Sequence, residues 1–239
     1  MKKFLKNLFT CFVILLVFGA VLFFLGWTQF KVPSDGFGIM VSKTGGISKE
    51  TVVPGVFSWH WEFLIPTNAE LKVFKIKNYH LEKKISFSVP SGDFYASLLG
   101  TDSDFGANYD FSADAFVSRE NMLSLFAAGK IREENDLETF VEHDFAELCG
   151  KVVTSLQKKV EAGELIFPEL LSSQDFMELA GRKEPGAVEY SVIKLSNVKI
   201  PDYKLFKIIR DNYLEKQRIS PDFLQENTGD DSSEKSKEN

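Results

Sequence analysis

The chain has 239 residues, of which 44% are hydrophobic and 26% charged, and its formal net charge is −6 at pH 7. Acidic and basic residues are mixed along most of the sequence without a basic stripe, which argues against a nucleic-acid-binding surface. The two cysteines are Cys11, in an apolar N-terminal run, and Cys149. This pattern excludes an intramolecular disulfide framework, and Cys149 is best explained as a small buried hydrophobe.

An uncharged stretch of twenty residues runs from Leu8 to Trp27. As an α-helix rising about 1.5 Å per residue it spans roughly 30 Å, the thickness of a bilayer's hydrocarbon core. The rival interpretation is a secretory signal peptide, which has a shorter apolar core followed by small residues at the cleavage site. Phe24 and Trp27 stand where those small residues would be needed. We therefore predict that residues 1–29 form an uncleaved transmembrane anchor.

The positive charges around this anchor predict its orientation. Lys2, Lys3 and Lys6 precede the apolar run, whereas only Lys31 and then Lys43 follow it closely. Short cytoplasmic flanks carry an excess of Lys and Arg. The chain is expected to be a single-pass membrane protein with its N-terminus in the cytoplasm. The rest would then be extracytoplasmic, on the periplasmic side if the source is bacterial.

Four aromatic residues recur at every second position after a Pro-Gly turn: Phe57, Trp59, Trp61 and Phe63. In a β-strand this spacing places all four on one face. One interpretation is packing in a core, since aromatics favour strands. The other is contact with the bilayer, because Trp prefers the membrane interface and the anchor ends only about 30 residues earlier. These four residues are our candidate membrane-contacting residues.

Alternating apolar residues predict further strands, the clearest at 107–117, and helical periodicity predicts helices in the second half. Ser118 is expected to cap a helix ending near Gly129, and a Ser172–Asp175 capping box to open a short one. The predicted strands are 39–42, 69–81, 85–89, 94–99, 107–117 and 188–195, and the remaining predicted helices are 136–162 and 203–218.

Taken in order, these features resemble the Band 7 or SPFH family of stomatin- and prohibitin-like membrane proteins. The likeness runs from Pro33 to Asp202 and includes GFGIMVSKTGG, VPGVFSWHWEFLIPT, the alternating strand and the helices after it. It implies an α+β domain over residues 30–202, with a curved, mostly antiparallel sheet flanked by helices at a membrane surface. The resemblance also implies an oligomerising, non-catalytic scaffold.

The C-terminal part departs from that family. A short basic amphipathic helix is predicted at 203–220, where the family's coiled coil would continue for many turns. Pro221 follows instead, and residues 221–239 form a polar tail with too few apolar groups to fold. The chain would then assemble through its globular domain or pair with a longer partner.

No sequence pattern for catalysis, cofactor binding or metal binding stands out. GxSxG, HExxH, P-loop and CxxC patterns do not occur in the sequence. His143 and Glu147 lie four residues apart on a predicted helix, with Asp144 beside His143, but two ligands do not make a metal site. We interpret them as part of a charged surface and predict no catalytic, cofactor or metal residues.

The function expected from the sequence is that of a membrane-anchored, oligomeric scaffold or regulatory protein. Its expected partners are membrane lipid and a second copy or a related family member, and nucleic acid is not among them. The alternative is a subunit of a complex that regulates a membrane-bound ATP-dependent protease. A third possibility, an extracytoplasmic enzyme, would need a polar titratable cleft that the sequence does not indicate.

Overall fold

The computed structural model describes residues 2–99, 105–164, 167–183 and 186–219, and the predicted polar tail lies outside them. The helices are α1 Lys2–Gly26, α2 Gly92–Leu99, α3 Arg119–Ala127, α4 Glu134–Glu161, α5 Ser173–Leu179 and α6 Tyr203–Ile219. The strands are β1 Gly36–Ser42, β2 Gly46–Val52, β3 Ala69–Lys75, β4 Tyr79–Ser88, β5 Gly106–Phe116 and β6 Glu189–Lys199. The protein is α+β, as predicted, and begins with an apolar helix.

The strands form two three-stranded sheets, ordered β2-β1-β3 and β4-β5-β6. The chain also divides into two compact units. The first unit contains Met1–Lys83, Ser112–Val152 and Leu171–Lys194, and the second contains Lys84–Phe111, Val153–Leu170 and Leu195–Asn239.

Strand β1 is the centre of the first sheet. It pairs antiparallel with β2, placing Ile39 opposite Thr51, and antiparallel with β3, placing Phe37 opposite Phe74. Almost every residue of β1 is buried, so its side chains are covered on both faces. Gly46 opens β2 with a φ of 71°, which lets the chain reverse tightly after β1.

Strand β5 is the centre of the second sheet and alternates as the sequence predicts. Its buried residues occupy every second position, namely Ala107, Tyr109, Phe111, Ala113 and Ala115. Hydrogen bonds join His80 to Asp114 and Ser86 to Asn108. The partner number falls as the strand number rises, so β4 and β5 are antiparallel.

The core of the first unit joins aromatic and aliphatic side chains from its sheet residues and its helices. Phe37 stacks on Phe74 with 6.0 Å between ring centroids, and Phe74 meets the edge of Phe126 of α3 at 5.9 Å. Helix α4 contributes buried positions at helical spacing, namely Leu137, Val141, Phe145, Leu148 and Val152. Ser118 caps α3, and Ser172 and Asp175 form a complete capping box on α5, as predicted.

The second unit has a small core of its own. Val89, Phe105 and Ile209 are buried, and Tyr95 and Phe206 pack against them. The rings of Tyr95 on α2 and Phe206 on α6 meet edge to face at 5.4 Å. This contact covers part of the apolar side of α6, whereas Ile208 and Leu214 remain exposed.

The prediction of a strand through the four alternating aromatics was wrong. Residues 53–60 are irregular apart from a single bridge at Trp59, and Trp61–Leu64 form a 3-10 turn. Gly55 turns the chain with a φ of 79°, and backbone groups of the next residues bond to the end of α1 instead of to a neighbouring strand. Hydrogen bonds to residues distant in sequence therefore outweigh the tendency of the alternating pattern to form a strand.

Two other predicted strands were also wrong. Residues 94–99 lie in helix α2, which follows a tight turn at Ser91, where φ is 58°. The predicted strand 69–81 is broken after Lys75, and its two parts, β3 and the start of β4, belong to different sheets. A continuous run of apolar and lysine residues does not reveal such a break.

Candidate membrane interface

Helix α1 is largely apolar, and most of its described residues are exposed. From Lys6 to Gly26 it is long enough and apolar enough to cross a membrane, and none of its most apolar stretch is buried inside the protein. Length and composition alone do not separate an anchor from a signal sequence, since both pass this test. The contacts at the end of α1 are therefore informative.

The loop between β2 and β3 binds the last turn of α1. The indole Nε1–H of Trp59 donates a hydrogen bond to the carbonyl oxygen of Phe23 at 3.1 Å. The backbone N–H of His60 donates one to the carbonyl oxygen of Gly26 at 2.9 Å. The last carbonyls of a helix have no partner within it. By pairing with two of these carbonyls, the loop acts as a C-terminal cap for α1.

Thr28 fixes the chain just beyond the helix and is fully buried. Its backbone N–H and its hydroxyl both donate to the carbonyl oxygen of Ser58, at 3.0 and 3.1 Å. The Ser58 hydroxyl in turn lies 2.9 Å from Nε2 of His60. These bonds hold the segment after α1 and the β2–β3 loop together as one structure.

Aromatic rings surround this junction and form what we call the collar. The collar comprises Phe23, Phe24, Trp27, Phe30, Phe57 and Trp59. The ring of Trp27 lies at its centre, 4.3 Å from Phe30 and 5.8 Å from Phe57 between centroids. The rings of Phe23 and Phe57 stack at 6.0 Å. Such pairs favour a fixed arrangement beyond simple burial.

The four aromatics predicted to contact membrane are brought to the same end of α1, although not on one strand face. Phe57, Trp59 and Trp61 are 59%, 38% and 50% exposed. Phe63 is half-buried, and the Lys31 ammonium lies 4.0 Å from its ring centroid, within the range of a cation–π contact. Large exposed aromatics beside an apolar helix are typical of a membrane interface.

The sequence interpretation missed the part of the collar contributed by the anchor itself. Trp27 was considered only as a residue at the end of the apolar run and Phe30 was not considered, yet in the structure the two rings pack together and Trp27 contacts Phe57 of the loop. Their position at the end of an apolar helix of spanning length was the available signal, because Trp is enriched there.

Asp144 and Cys149, which the sequence analysis considered, have structural roles. Asp144 accepts hydrogen bonds from Arg182 at 2.8 and 3.0 Å and from the Tyr190 hydroxyl at 2.7 Å. No cluster of three or more His, Cys, Asp or Glu suited to a metal ion occurs within the residues that the structure describes. Cys149 is buried, as predicted, and its burial raises the pKa of the thiol to about 12.

No profile of a known protein family matches this sequence. The chain is similar to a protein of Treponema pallidum (strain Nichols) described as "Uncharacterized protein". The two are 27% identical over 210 residues, which cover 85% of this chain and 71% of the relative. The similarity therefore extends over most of the chain and is not confined to its apolar N-terminus.

Proposed function

We propose that this protein is a single-pass membrane scaffold. In this proposal α1 crosses the bilayer, the collar lies at the bilayer surface, and the folded part binds other protein chains without turning over a substrate. The observation that carries it is the exposed aromatic collar, bonded directly to the end of an apolar helix of spanning length.

The bonds at the helix end favour an anchor over a removable signal sequence. A cleaved chain would lose the carbonyl groups of Phe23 and Gly26, which pair with Trp59 and His60. It would also lose the Phe23 ring that stacks on Phe57. A signal sequence is discarded before folding, so its residues have no reason to fit the mature domain.

The collar suits the interfacial zone for a second reason, which is its mixture of apolar surface and polar edges. Trp59 packs on the last turn of α1 but keeps 38% of its surface exposed, and its N–H is satisfied by the Phe23 carbonyl. Lys31, just after the helix, can reach lipid headgroups from the rim. The lysines that precede the apolar run favour a cytoplasmic N-terminus, so the folded part is proposed to be extracytoplasmic.

Scaffolding follows from anchoring many copies in one plane. Restricting a domain to a surface raises its local concentration, so that contacts too weak to act in solution become effective. The resemblance to Band 7 proteins supports this kind of clustering.

The membrane contact can be tested with single-tryptophan variants of the full chain in bilayer nanodiscs. Two variants keep only Trp59 or only Trp61, with the other tryptophans replaced by Phe. Lipids brominated near the headgroup should quench both indoles more strongly than lipids brominated near the chain ends. A Trp-less chain carrying Phe167→Trp is the control, because Phe167 is exposed outside the collar. Unquenched Trp59 and Trp61 would contradict the membrane contact.

Clustering requires a separate measurement on the same protein. Native mass spectrometry of the mildly solubilised full chain should give a homo-oligomer. A monomer under all protein concentrations tested would contradict self-assembly while leaving the membrane contact intact.

A further inference from the structure

A cavity in the second unit combines an apolar floor with a basic rim. Its volume is about 410 Å³, which lies within the range of small-molecule sites. Val89, Pro90, Tyr203 and Phe206 contribute the apolar and aromatic part of the lining. The Tyr203 hydroxyl accepts a hydrogen bond from Nε2 of Gln157 at 3.1 Å, which fixes this ring against the wall.

Three cations line the same cavity: Lys204, Lys207 and Arg210, with Glu161 as the acidic member of the lining. They follow one another at intervals of three along α6, which places successive side chains about 5–6 Å apart on one helix face. Three positive charges thus line one opening, where Glu161 is the acidic lining residue and Arg210 is also paired with Asp211.

The structural roles of these cations leave much of their bonding capacity unused. Lys204 lies near Gly163, just past the C-terminus of α4, where a positive charge is favourable. Among the described residues, Arg210 donates hydrogen bonds to the side chain of its exposed neighbour Asp211 and to no other side chain. Neither Lys204 nor Lys207 forms an ion pair within the part of the chain that the structure describes.

We propose that this cavity binds a phosphate group attached to an apolar or aromatic molecule. The lysines and Arg210 supply charge-assisted donors to the phosphate oxygens, and Tyr203 and Phe206 contact the attached group. Two sources share this chemistry, a phospholipid headgroup and a soluble nucleotide. The inference goes beyond the scaffold role and is independent of α1 and the collar.

The test uses the full chain in detergent, with adenosine monophosphate and short-chain phosphatidic acid as probes. Titration calorimetry measures the nucleotide, with adenosine as the phosphate-free control, and native mass spectrometry measures bound phosphatidic acid. Lys204→Gln combined with Lys207→Gln should weaken binding at least about tenfold, the usual effect of losing a charged hydrogen bond. Lys216→Gln is the matched control, because it removes a positive charge from α6 outside the cavity lining.

The outcomes distinguish the two possible sources of the phosphate and also test the proposal itself. Binding of one probe that depends on Lys204 and Lys207 identifies the source, and similar binding of both probes shows that the phosphate dominates. Lys207→Arg should retain binding because it retains the charge. Binding unchanged by the double substitution, equal loss with Lys216→Gln, or no binding of either probe would overturn the proposal. None of these results bears on the membrane contact of the collar.

Discussion

The half-buried carboxylate of Asp144, on α4, accepts hydrogen bonds from two residues later in the chain, Arg182 and Tyr190. Arg182 and Asp144 retain 15% and 21% side-chain exposure, and burial together with the bond to Asp144 raises the pKa of Tyr190. Asp144→Asn removes the negative charge and so the ion pair with Arg182, which keeps its bond to the backbone carbonyl of residue 144 at 3.3 Å. We expect the free energy of unfolding to fall by about 2–3 kcal/mol, as measured by chemical denaturation.

The same helix supplies a matched control for that substitution. Glu147 pairs with Lys151 at 2.7 Å, but both side chains are about half exposed. Exposed pairs of this spacing contribute little to stability, because water and salt screen them. Glu147→Gln should therefore change stability little, and an equal loss for both variants would show that charge removal alone, and not burial, causes the effect.

His80 is expected to make stability depend on pH. Its hydrogen bond to Asp114, together with the charges of Asp114 and Glu82, raises its pKa above the ordinary value of 6.5. The folded state therefore binds this proton more tightly than the unfolded state, so the interaction stabilises the fold fully below pH 6.5. That contribution disappears as the pH rises through the folded-state pKa.

The titration of His80 can be followed by NMR of its imidazole nitrogens, assigned with a His80→Gln variant. In the native chain the apparent pKa should exceed 6.5, and Asp114→Asn should lower it. Replacement of Asp114 should also flatten the decline of stability as the pH rises above 6.5. If Asp114→Asn left the pKa of His80 unchanged, the conclusion that Asp114 raises this pKa would be refuted.

The last turn of α1 packs so closely on the β2–β3 loop that there is little room for a side chain at Gly26. A Cβ added at Gly26 would meet the indole of Trp59 at less than 3.0 Å, whereas one added at Gly19 would meet nothing within 4 Å. Gly26→Ala should therefore displace Trp59, lower the free energy of unfolding by about 1–3 kcal/mol, and shift Trp emission. Gly19→Ala should leave both measurements unchanged.

If the two alanine variants behaved alike, the close packing of Trp59 on the helix end would be disproved. Detergent-solubilised protein suffices for this comparison, since both substitutions lie in α1 and differ only in their neighbours. Because Ala favours helix more than Gly does, any destabilisation by Gly26→Ala must come from the contact with Trp59.

The elements that the sequence predicted correctly are those specified by their own residues. Strand β5 alternates because one face is buried, and Ser118 and Ser172 cap helices through bonds made within three residues. Residues 57–63 failed as a strand because their partners are thirty or more positions away, at the end of α1. Local periodicity carries no information about such partners.

For the whole molecule, the sequence indicated the α+β class and the apolar N-terminal helix but not the separation into two sheets. The break between β3 and β4 covers only residues 76–78, and the strands on either side share the same lysine-rich character. Of the six collar residues, the sequence interpretation singled out Phe57 and Trp59 as candidates. The packing of Trp27 and Phe30 against the loop becomes visible only when the anchor and the loop are seen in contact.

These contacts predict that the mature protein keeps α1. Thr28 and Val32 are buried, so the folded structure continues without interruption from the helix end into β1. Protein recovered from membranes should have the full mass of 27.0 kDa and resist extraction at alkaline pH. Phe24→Ala combined with Gly26→Ala, which creates an Ala-Leu-Ala cleavage site, is the positive control and should release a shorter chain. A native chain that already lacks residues 1–26 would show that α1 is a signal sequence.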